Sequence, residues 1–205
     1  AARKGAYRHD PPPDKPITFG QQVVADFVIA KSPEAMGILS ETNALIIGDR
    51  GTEWIFGYPV SRRTTGATTK CYVHFAGEAK VNHLWTDGGP ELSEAADRLK
   101  WHHTVSVPGV KTTAALGESY VKLVMRGTRT LLLQAGLPHC YWPFAMVCFC
   151  FGRIIRDRDG DSIWNARHKK GPFEGLRFPF GCLVHYMPNP DRLATNAKSS
   201  ARLLP

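Results

Sequence analysis

The sequence has no hydrophobic run long enough to cross a membrane, and it has no internal repeat. Its most apolar stretch, Trp142 to Phe151, is much shorter than the roughly 20 residues that a transmembrane helix needs, and Arg153 follows soon after it. The sequence therefore predicts neither a membrane-spanning helix nor a repeat architecture. We expect a soluble protein that has no membrane partner.

Cysteine is scarce, and its arrangement excludes a disulfide framework. The five cysteines are odd in number and lie in or beside apolar stretches: Cys71, Cys140, Cys148, Cys150 and Cys182. This pattern indicates reduced core residues of an intracellular protein. His102 and His103 have no cysteine pair at zinc spacing, so an ordinary packing role is favoured over a structural metal site.

Acidic residues are outnumbered by basic ones. The 205 residues include 18 Asp and Glu against 26 Lys and Arg, which gives a formal net charge of +8 and a pI near 9.4. This excess suggests a polyanionic partner, although net charge bears first on solubility and non-specific binding. Because the chain begins at a polar segment without Met, we expect it to be a piece of a longer protein.

Composition divides the chain into three parts. Residues 1–16 carry three consecutive prolines and no periodicity, which predicts a linker or an extended lead-in. Residues 17–158 hold the predicted strands and helices. Residues 159–205 are rich in Arg, Asp, Gly and Pro apart from one apolar island, which predicts a C-terminal extension with a disordered end.

The order of predicted elements favours a mixed α/β sheet with helices on its faces. Stretches rich in β-branched and aromatic residues predict strands at 17–30, on both sides of a turn within 43–60, at 81–89 and at 102–109. Residues 90–101 predict a helix, with Pro90 near its start and acids in its first turn. Residues 65–77 stay ambiguous, because a helix suits the α/β order while their threonines weakly favour a strand.

A second helix is predicted from Gly117 to Pro138, and it carries charges along one face. Glu118 lies in its first turn, and steps of four, four and three residues place Lys122, Arg126 and Arg129 on the same side. Apolar residues fill the other side, which predicts the buried face. Taken alone, such a stripe is more often a solvated surface than a binding site.

Three acids stand at the ends of predicted elements: Asp26 in an apolar strand, Asp87 at the end of another strand, and Glu118. A charge inside so apolar a strand costs free energy unless it is paired or ligates a metal. Carboxylates suit Mg²⁺ or Mn²⁺, and two such ions can activate the attacking oxygen and stabilise the leaving oxygen in phosphoryl transfer. Basic residues beyond the third acid would then lie along a DNA backbone.

Five segments, in order, resemble the integrase catalytic cores of retroviruses and LTR retrotransposons, in particular the copia type. "GQQVVADFV" is similar to the strand with the first aspartate, and "LWTDGGPEL" to the S-D-N-G-x-E-F segment with the second. "ESYVKLVMRGTRTLLLQAGLPHCYW" resembles the helix with the catalytic glutamate. "IIGDRGTEWIFGYPV" resembles the second strand and its turn, and "KGPFEGLRFPFGCLVHYMP" the segment downstream of the core. The likeness runs from about residue 17 to 190.

The resemblance implies a ribonuclease-H-like mixed sheet with helices on both faces, and a DDE-type polynucleotidyl transferase. It implies metal-dependent 3′ processing and strand transfer of element DNA, with Asp26, Asp87 and Glu118 as catalytic metal ligands for Mg²⁺ or Mn²⁺, two ions in all. We assign the DNA contacts to Lys111, Lys122, Arg126 and Arg129. Element and target DNA would be the partners of a homo-oligomer, in the nucleus or a virus-like particle.

The sequence also departs from the family pattern. Gly88 stands where Asn is usual, and Ala114 and Ala115 stand where Asn-Gly usually precedes the glutamate. The spacing between Asp87 and Glu118 is shorter than usual by somewhat more than one helical turn, which the helix at 90–101 could absorb. Three alternatives stay open: a catalytically decayed or domesticated DNA-binding module, an oligomerisation module, and a ribonuclease that acts on RNA–DNA hybrids.

Other candidate sites are weaker than their packing alternatives. Cys148 and Cys150 would point apart on a helix, and His139 with Cys140 has no third partner for a nucleophilic site. "GDRGTEW" lacks the Lys-Ser/Thr ending of a phosphate loop and predicts a turn. "RDRDGDS", from Arg156 to Ser162, alternates like a calcium loop, but no glutamate closes it, so we predict a solvated turn.

Overall fold

The computed structural model describes residues 16–30, 32–105 and 111–185, with 111–116 described by their backbone alone. A five-stranded mixed sheet in the order β3-β2-β1-β4-β5 forms its centre. The strands of this sheet are β1 Val23–Ile29, β2 Asn43–Asp49, β3 Ile55–Val60, β4 Leu84–Thr86 and β5 His103–Val105. A separate antiparallel pair consists of β6 Asp157–Arg158 and β7 Asp161–Ser162. The helices are α1 Thr65–Ala76, α2 Pro90–Arg98, α3 Lys111–Ala135, α4 Trp142–Ile155 and α5 Ile163–His168, with 3-10 turns at Pro33–Ala35 and His139–Tyr141.

The first three strands form an antiparallel meander, and the last two join it in parallel. β2 pairs with both β1 and β3, and all seven of its residues are buried because helices cover both faces of the sheet. β1 pairs in parallel with β4, and β4 with β5. A parallel pair needs a crossover connection, which α1 and α2 supply. The strands predicted from the sequence are confirmed, as is the mixed sheet with helices on its faces.

The stretch that stayed ambiguous in the sequence, residues 65–77, forms α1. Thr64 caps the helix, because its hydroxyl accepts a hydrogen bond of 3.2 Å from the Ala67 backbone N–H. The helix ends at Gly77, which has a φ of 59°. The buried residues of α1 recur at helical spacing: Thr68, Cys71, Tyr72, Phe75 and Ala76. Packing of this face therefore outweighs the weak strand preference of the threonines.

Alternating strand residues feed two cores, one on each face of the sheet. Leu45 and Ile47 of β2 pack with α1, α2 and the end of α4, whereas Ala44 and Ile46 pack with α3 and the first part of α4. α3 and α4 therefore cover one face, and α1 and α2 cover the other. This two-sided covering is the arrangement that the sequence predicted.

The helix that carries Glu118 begins earlier than the sequence predicted. α3 starts at Lys111 instead of Gly117, so Glu118 lies in its third turn and not in its first. Ala114 and Ala115 lie within the helix rather than in a loop before it. The prediction that Glu118 occupies the helix N-terminus was therefore wrong. Alanine suits its place here, since it is the best helix former.

A segment beyond residue 158 packs onto the core. Arg167 of α5 donates hydrogen bonds of 2.8 and 2.9 Å to the backbone carbonyls of Phe75 and Ala76, the last two residues of α1. Its guanidinium also stacks over the rings of Phe19 and Trp54, at 3.7 and 4.2 Å from their centroids. These contacts bind the start of the predicted C-terminal extension to the core. The predicted boundaries at residues 16 and 158 stay predictions.

The cysteines and one surface turn bear on smaller sequence predictions. All five cysteines are free thiols, and Cys71 and Cys150 are buried as expected, but the prediction was wrong for Cys182, which is exposed. Asp157 and Gly160 close the tight turn predicted within "RDRDGDS", through a backbone N–H to carboxylate hydrogen bond of 3.1 Å. Among the helices in the described residues, none has both the length and the apolar character that crossing a membrane requires. Most of the predicted lead-in, residues 1–15, and the end of the extension, residues 186–205, lie outside the described residues.

Candidate active site

Strand register brings Asp26 and Asp87 to neighbouring positions in the sheet. Ala25 of β1 pairs with Thr86, the last residue of β4. Asp26 and Asp87 are the residues that follow Ala25 and Thr86 in the chain. Because the two strands are parallel, the acids lie at the same end of the pair. β1 continues past Asp26 while β4 stops at Thr86, so one side of β1 is open at this point.

The Asp26 carboxyl is half-buried and has a perturbed pKa. Its pKa is raised from 3.8 to about 6, mainly by burial and further by the negative charges of Asp87 and Glu118, while a hydrogen bond from the Phe27 backbone N–H opposes the rise. Asp87 and Glu118 are therefore close enough to Asp26 for their charges to repel its carboxylate. Perturbed carboxylates in such clusters mark candidate functional sites.

Close approach of α3 to β1 places Glu118 at this site. A Cβ atom on Gly117 would lie 3.6 Å from the Asp26 Cβ and 3.7 Å from its Oδ2, so the helix backbone passes directly beside Asp26. Glu118 follows immediately and is exposed. Its carboxylate forms an ion pair of 2.7 Å with Lys122, one turn further along the helix. The structure thus brings Glu118 near Asp26.

The donor set suits a hard divalent cation, although the side chains do not lie in a ligating arrangement. The charges of Asp87 and Glu118 disfavour ionisation of Asp26, and a cation between the carboxylates would offset that repulsion. Across residues 16–30, 32–105 and 111–185, no group of three or more His, Cys, Asp or Glu side chains is arranged so that it could hold a metal ion. Glu118 would have to leave Lys122, and both Glu118 and Asp87 are exposed enough to turn. The carboxylate oxygens of Asp26, Asp87 and Glu118 are therefore suitable ligands for a divalent cation in their chemical type.

The turn after Asp87 explains a departure of this sequence from the family pattern. Gly88 has a φ of 90°, and a Cβ atom there would approach the Val105 Cγ1 to 2.5 Å. A residue at this position must tolerate positive φ, which Gly does best and Asn does better than most others. The next residue, Gly89, donates a backbone hydrogen bond of 3.2 Å to the Asp87 Oδ1. Glycine at 88 thus maintains the turn that holds Asp87.

A fourth acid near the same strands, Asp49, has a structural role. It is fully buried, and its Oδ1 accepts a hydrogen bond of 2.9 Å from the Gly20 backbone N–H. Its Oδ2 accepts two from Thr52, at 2.7 Å from the backbone and 2.8 Å from the hydroxyl. Because its oxygens are occupied by the turn between β2 and β3, Asp49 is no ligand candidate.

The predicted DNA-contacting residues fall into different surroundings. Lys122 and Arg126 are exposed on α3 on the same side as Glu118, and Lys111 is the first residue of that helix, although its side chain is not described. Arg129 is exposed and also lines a cavity of about 760 Å³. That cavity is bounded mainly by apolar side chains, such as Val28 and Trp142, and by none of the three acids. Of the three whose side chains are described, Arg129 is the one whose surroundings least resemble a phosphate-binding surface.

Two candidates that the sequence disfavoured have packing roles in the structure. His102 stacks on His83 with ring centroids 4.6 Å apart, and His103 shares a hydrogen bond of 2.8 Å with the Thr86 hydroxyl. His139 contacts the backbone carbonyl of Glu34. These histidines stabilise the sheet edge and a surface turn.

Sequence reasoning missed Arg63 and undervalued Glu91, which approach the site from the other face of the sheet. Arg63 forms an ion pair of 3.4 Å with Glu91, and it lies over the ring of Phe27. The motif that contains Asp87 pointed to Glu91 as its neighbour. No signal in the segment "SRRTTG" distinguishes Arg63 from Arg62, because the difference arises from packing between α1 and α2.

Comparisons with known proteins place the fold. No protein-family model matches the chain, and no curated protein matches its sequence. Among solved structures, a chain of the simian T-cell lymphotropic virus intasome, in complex with the PP2A regulatory subunit B56 gamma, superposes with a TM-score of 0.59 at 15% identity. That match covers 80% of this chain and only 60% of the viral one, so this chain spans less than two thirds of that protein.

A second solved structure covers the catalytic core alone. The HTLV-2 integrase catalytic core domain, in complex with magnesium and in a trimeric form, superposes with a TM-score of 0.54 at 15% identity, over 75% of this chain and 100% of that one. The two superpositions establish the fold, and the low identities leave activity open. The chain therefore has the ribonuclease-H-like α/β fold of retroviral integrase catalytic cores, as the sequence predicted.

Proposed function

We propose that this chain is the catalytic core of a copia-type retrotransposon integrase, a metal-dependent DNA strand transferase with Asp26, Asp87 and Glu118 at its site. The observation that supports this proposal most is the approach of two acids, Asp87 and Glu118, to Asp26 within a fold that retroviral integrase cores share. The five motifs in family order support the copia type. The excess of positive charge agrees with a polyanionic substrate.

The three acids would divide the work according to their positions. Asp26 lies within the central strand and is the rigid member, while Asp87 and Glu118 are exposed and can adjust to a ligand. Together they would hold one or two Mg²⁺ or Mn²⁺ ions, which would supply Lewis-acid activation of the attacking oxygen and charge stabilisation of the leaving one. Water would attack in 3′ processing, and the freed 3′-hydroxyl in strand transfer. No covalent enzyme intermediate is needed.

The basic residues of α3 would hold the substrate. Lys122 and Arg126 extend the exposed face that begins at Glu118, and Lys111 and Arg129 lie at either end of this set. Charged side chains of this kind fix a DNA backbone without reading its sequence. We further propose that the chain works as a homo-oligomer on element and target DNA, in the nucleus or a virus-like particle. The two solved neighbours, an intasome and a trimeric core, support the oligomer.

The test is a Mn²⁺-dependent joining assay that uses a short labelled DNA end and a plasmid, with the reverse, disintegration-type reaction scored in parallel. Glu118→Gln and Asp26→Asn should abolish both reactions while DNA binding is retained. Asp49→Asn is no suitable control, because that carboxylate holds a buried turn. The exposed Asp159→Asn is suitable and should leave turnover unchanged. Turnover that survives in Glu118→Gln would remove this residue from the site.

The second candidate function is a DNA-binding module of the same fold that has lost catalysis. The observation that favours it is the ion pair between Glu118 and Lys122, together with the lack of a ready three-ligand group in the described residues. This candidate predicts DNA binding that does not depend on divalent cations. A wild-type chain that binds DNA equally well with Mn²⁺ and with EDTA, and that joins no ends, would establish it in place of the integrase.

A further inference from the structure

Arg63 lies at a fixed place beside the open end of the β1–β4 pair. It precedes Thr64, whose side chain caps α1, so its backbone is held at the start of a helix. Its guanidinium carbon is 5.7 Å from the centroid of the Phe27 ring, a distance at which a cation is attracted to the ring face. Phe27 is the residue after Asp26. The Arg63 guanidinium thus lies against the segment of β1 that extends past the end of β4.

Glu91 contacts Arg63 from the side of Asp87. The Arg63 Nε lies 3.4 Å from the Glu91 Oε1, and the Arg63 side chain is 42% exposed whereas that of Glu91 is only 12% exposed. At this distance the contact is an ion pair, and the buried Oε1 has no hydrogen bond within the described chain. The Arg63 side chain is therefore in contact with two groups, the Glu91 carboxylate and the Phe27 ring. The remaining N–H groups of Arg63 are left towards solvent.

Glu91 is itself attached to the turn that holds Asp87. Its carboxylate lies 3.4 Å from the place where a Cβ atom of Gly89 would stand, and Gly89 donates its N–H to Asp87. Glu91 also lies in the first turn of α2, where the helix dipole favours an acid. The pair of Arg63 and Glu91 therefore spans from the neighbour of Asp26 to the neighbours of Asp87.

The cation approaches the site from the face opposite to the Asp26 carboxylate. Successive side chains of a strand point to opposite faces, and Phe27 packs with the core under α1 and α2 while Asp26 lies beside α3. Arg63 is therefore across β1 from the acids and cannot neutralise them directly. A DNA strand that crosses the open end of the pair would place its reacting phosphate at the acids and another phosphate over Arg63.

We propose that Arg63 binds a backbone phosphate next to the reacting one in the DNA strand held at the Asp26–Asp87 site, and that Glu91 is its positioning residue. This assignment rests on the proposed function. A guanidinium suits the task because it presents several donors in a planar fork that matches a phosphate. Among the residues described around the site, Arg63 is the cation that approaches from the α1 and α2 side, opposite to the α3 residues.

The test measures DNA-end joining by Arg63→Gln with Arg62→Gln as a matched control, because the two neighbours carry the same charge and Arg62 is simply exposed. Loss of a charge-assisted contact should raise the KM for the DNA end about tenfold with little change in kcat. Arg62→Gln should change KM about twofold or less. Arg63→Lys should restore part of the loss, because it keeps the charge without the fork. Glu91→Gln should raise KM by an intermediate factor.

A scan of the substrate identifies the phosphate. DNA ends in which one phosphate at a time is replaced by an uncharged methylphosphonate are joined by wild type and by Arg63→Gln. At one position, the methylphosphonate should weaken joining by wild type about as much as Arg63→Gln weakens joining of unmodified DNA. At that position it should cause no further loss in Arg63→Gln. The assignment would be overturned if the losses from the methylphosphonate and from Arg63→Gln add at every position. It would also be overturned if Arg63→Gln and Arg62→Gln have the same KM for the DNA end. Thermal unfolding without DNA should place both variants within about 1 kcal/mol of wild type.

The proposed function can fail separately from this assignment. Wild-type joining that Asp26→Asn abolishes establishes the function, and the Arg63 comparison then decides the assignment alone. When wild type binds DNA but joins nothing, the same variants and substrates are compared by equilibrium binding, and the same non-additive phosphate supports the assignment. A wild type that neither joins nor binds DNA would overturn both.

Discussion

Replacement of Asp26 by Asn should stabilise the metal-free protein at neutral pH. The folded protein holds this carboxyl at a pKa of about 6, above its ordinary value of 3.8, so the folded state binds a proton where the unfolded chain does not. Stability therefore falls as pH rises from about 4 to about 6 and stays lower above that range. Asparagine has the same shape and carries no charge, so the variant escapes this loss.

The magnitude follows from the pKa shift. At 1.36 kcal/mol per unit, the full shift would correspond to about 3 kcal/mol. Because the carboxyl is only half-buried and water screens part of its charge, we expect a gain of about 1–2 kcal/mol for Asp26→Asn above pH 7. For a domain of this size the midpoint of thermal unfolding should rise by about 3–6 °C. Below pH 4 the two proteins should unfold at the same temperature.

Circular dichroism during heating, in EDTA and from pH 4 to pH 8, measures this difference. Asp159→Asn serves as the control, because Asp159 is exposed in a turn with a φ of 55°, which Asn also adopts. Its unfolding curve should follow that of wild type at every pH. Adding Mg²⁺ or Mn²⁺ at pH 7.5 should then stabilise wild type more than Asp26→Asn. A stabilisation of Asp26→Asn that is constant from pH 4 to pH 8 would refute the reasoning from repulsion and burial.

Two other predictions concern α3. Gly127→Ala should destabilise the protein by about 1–3 kcal/mol in urea unfolding, because the added methyl group would overlap the Phe149 ring. Gly152→Ala, a helical glycine with open space around it, is the matched control and should be neutral or stabilising by up to about 1 kcal/mol; equal effects of the two would contradict the packing. Arg126→Ala combined with Arg129→Ala should lower the salt dependence of DNA binding by about two phosphate contacts, and an unchanged slope in a binding titration would make these residues ordinary surface.

The sequence predicted the sheet well because its strands are local and strongly patterned. β2 and β3 are joined by a short turn. The short β4 is followed by Asp87 and by two glycines, the first of which adopts the positive φ that the turn requires. The start of α3 was not predictable in this way. Gly117 weakens a helix by propensity, yet it lies inside α3, where the helix backbone packs against Val24 and Asp26 of β1. Tertiary contact decided what propensity could not.

The site shows the same division. Asp26, Asp87 and Glu118 were predicted from motifs, and the structure places the charges of Asp87 and Glu118 near enough to Asp26 to raise its pKa. Their role as metal ligands stays a prediction. Arg63 could not be predicted, because nothing local in "SRRTTG" separates it from Arg62. Its contacts with Phe27 and Glu91 arise only once β1, α1 and α2 have assembled.

On the proposed function, the ion pair between Glu118 and Lys122 couples the metal to the substrate. The Glu118 carboxylate forms an ion pair of 2.7 Å with Lys122. It cannot keep this ion pair and bind a divalent cation equally well at the same time. When the carboxylate turns towards Asp26 and a cation, Lys122 loses its partner one turn further along the helix and becomes available to a phosphate. When DNA attracts Lys122, Glu118 is released to a cation. Because an exposed pair of this kind contributes only about 0.3–0.5 kcal/mol, the exchange is easily reversed. DNA and divalent cation should therefore each strengthen the binding of the other, by the same factor.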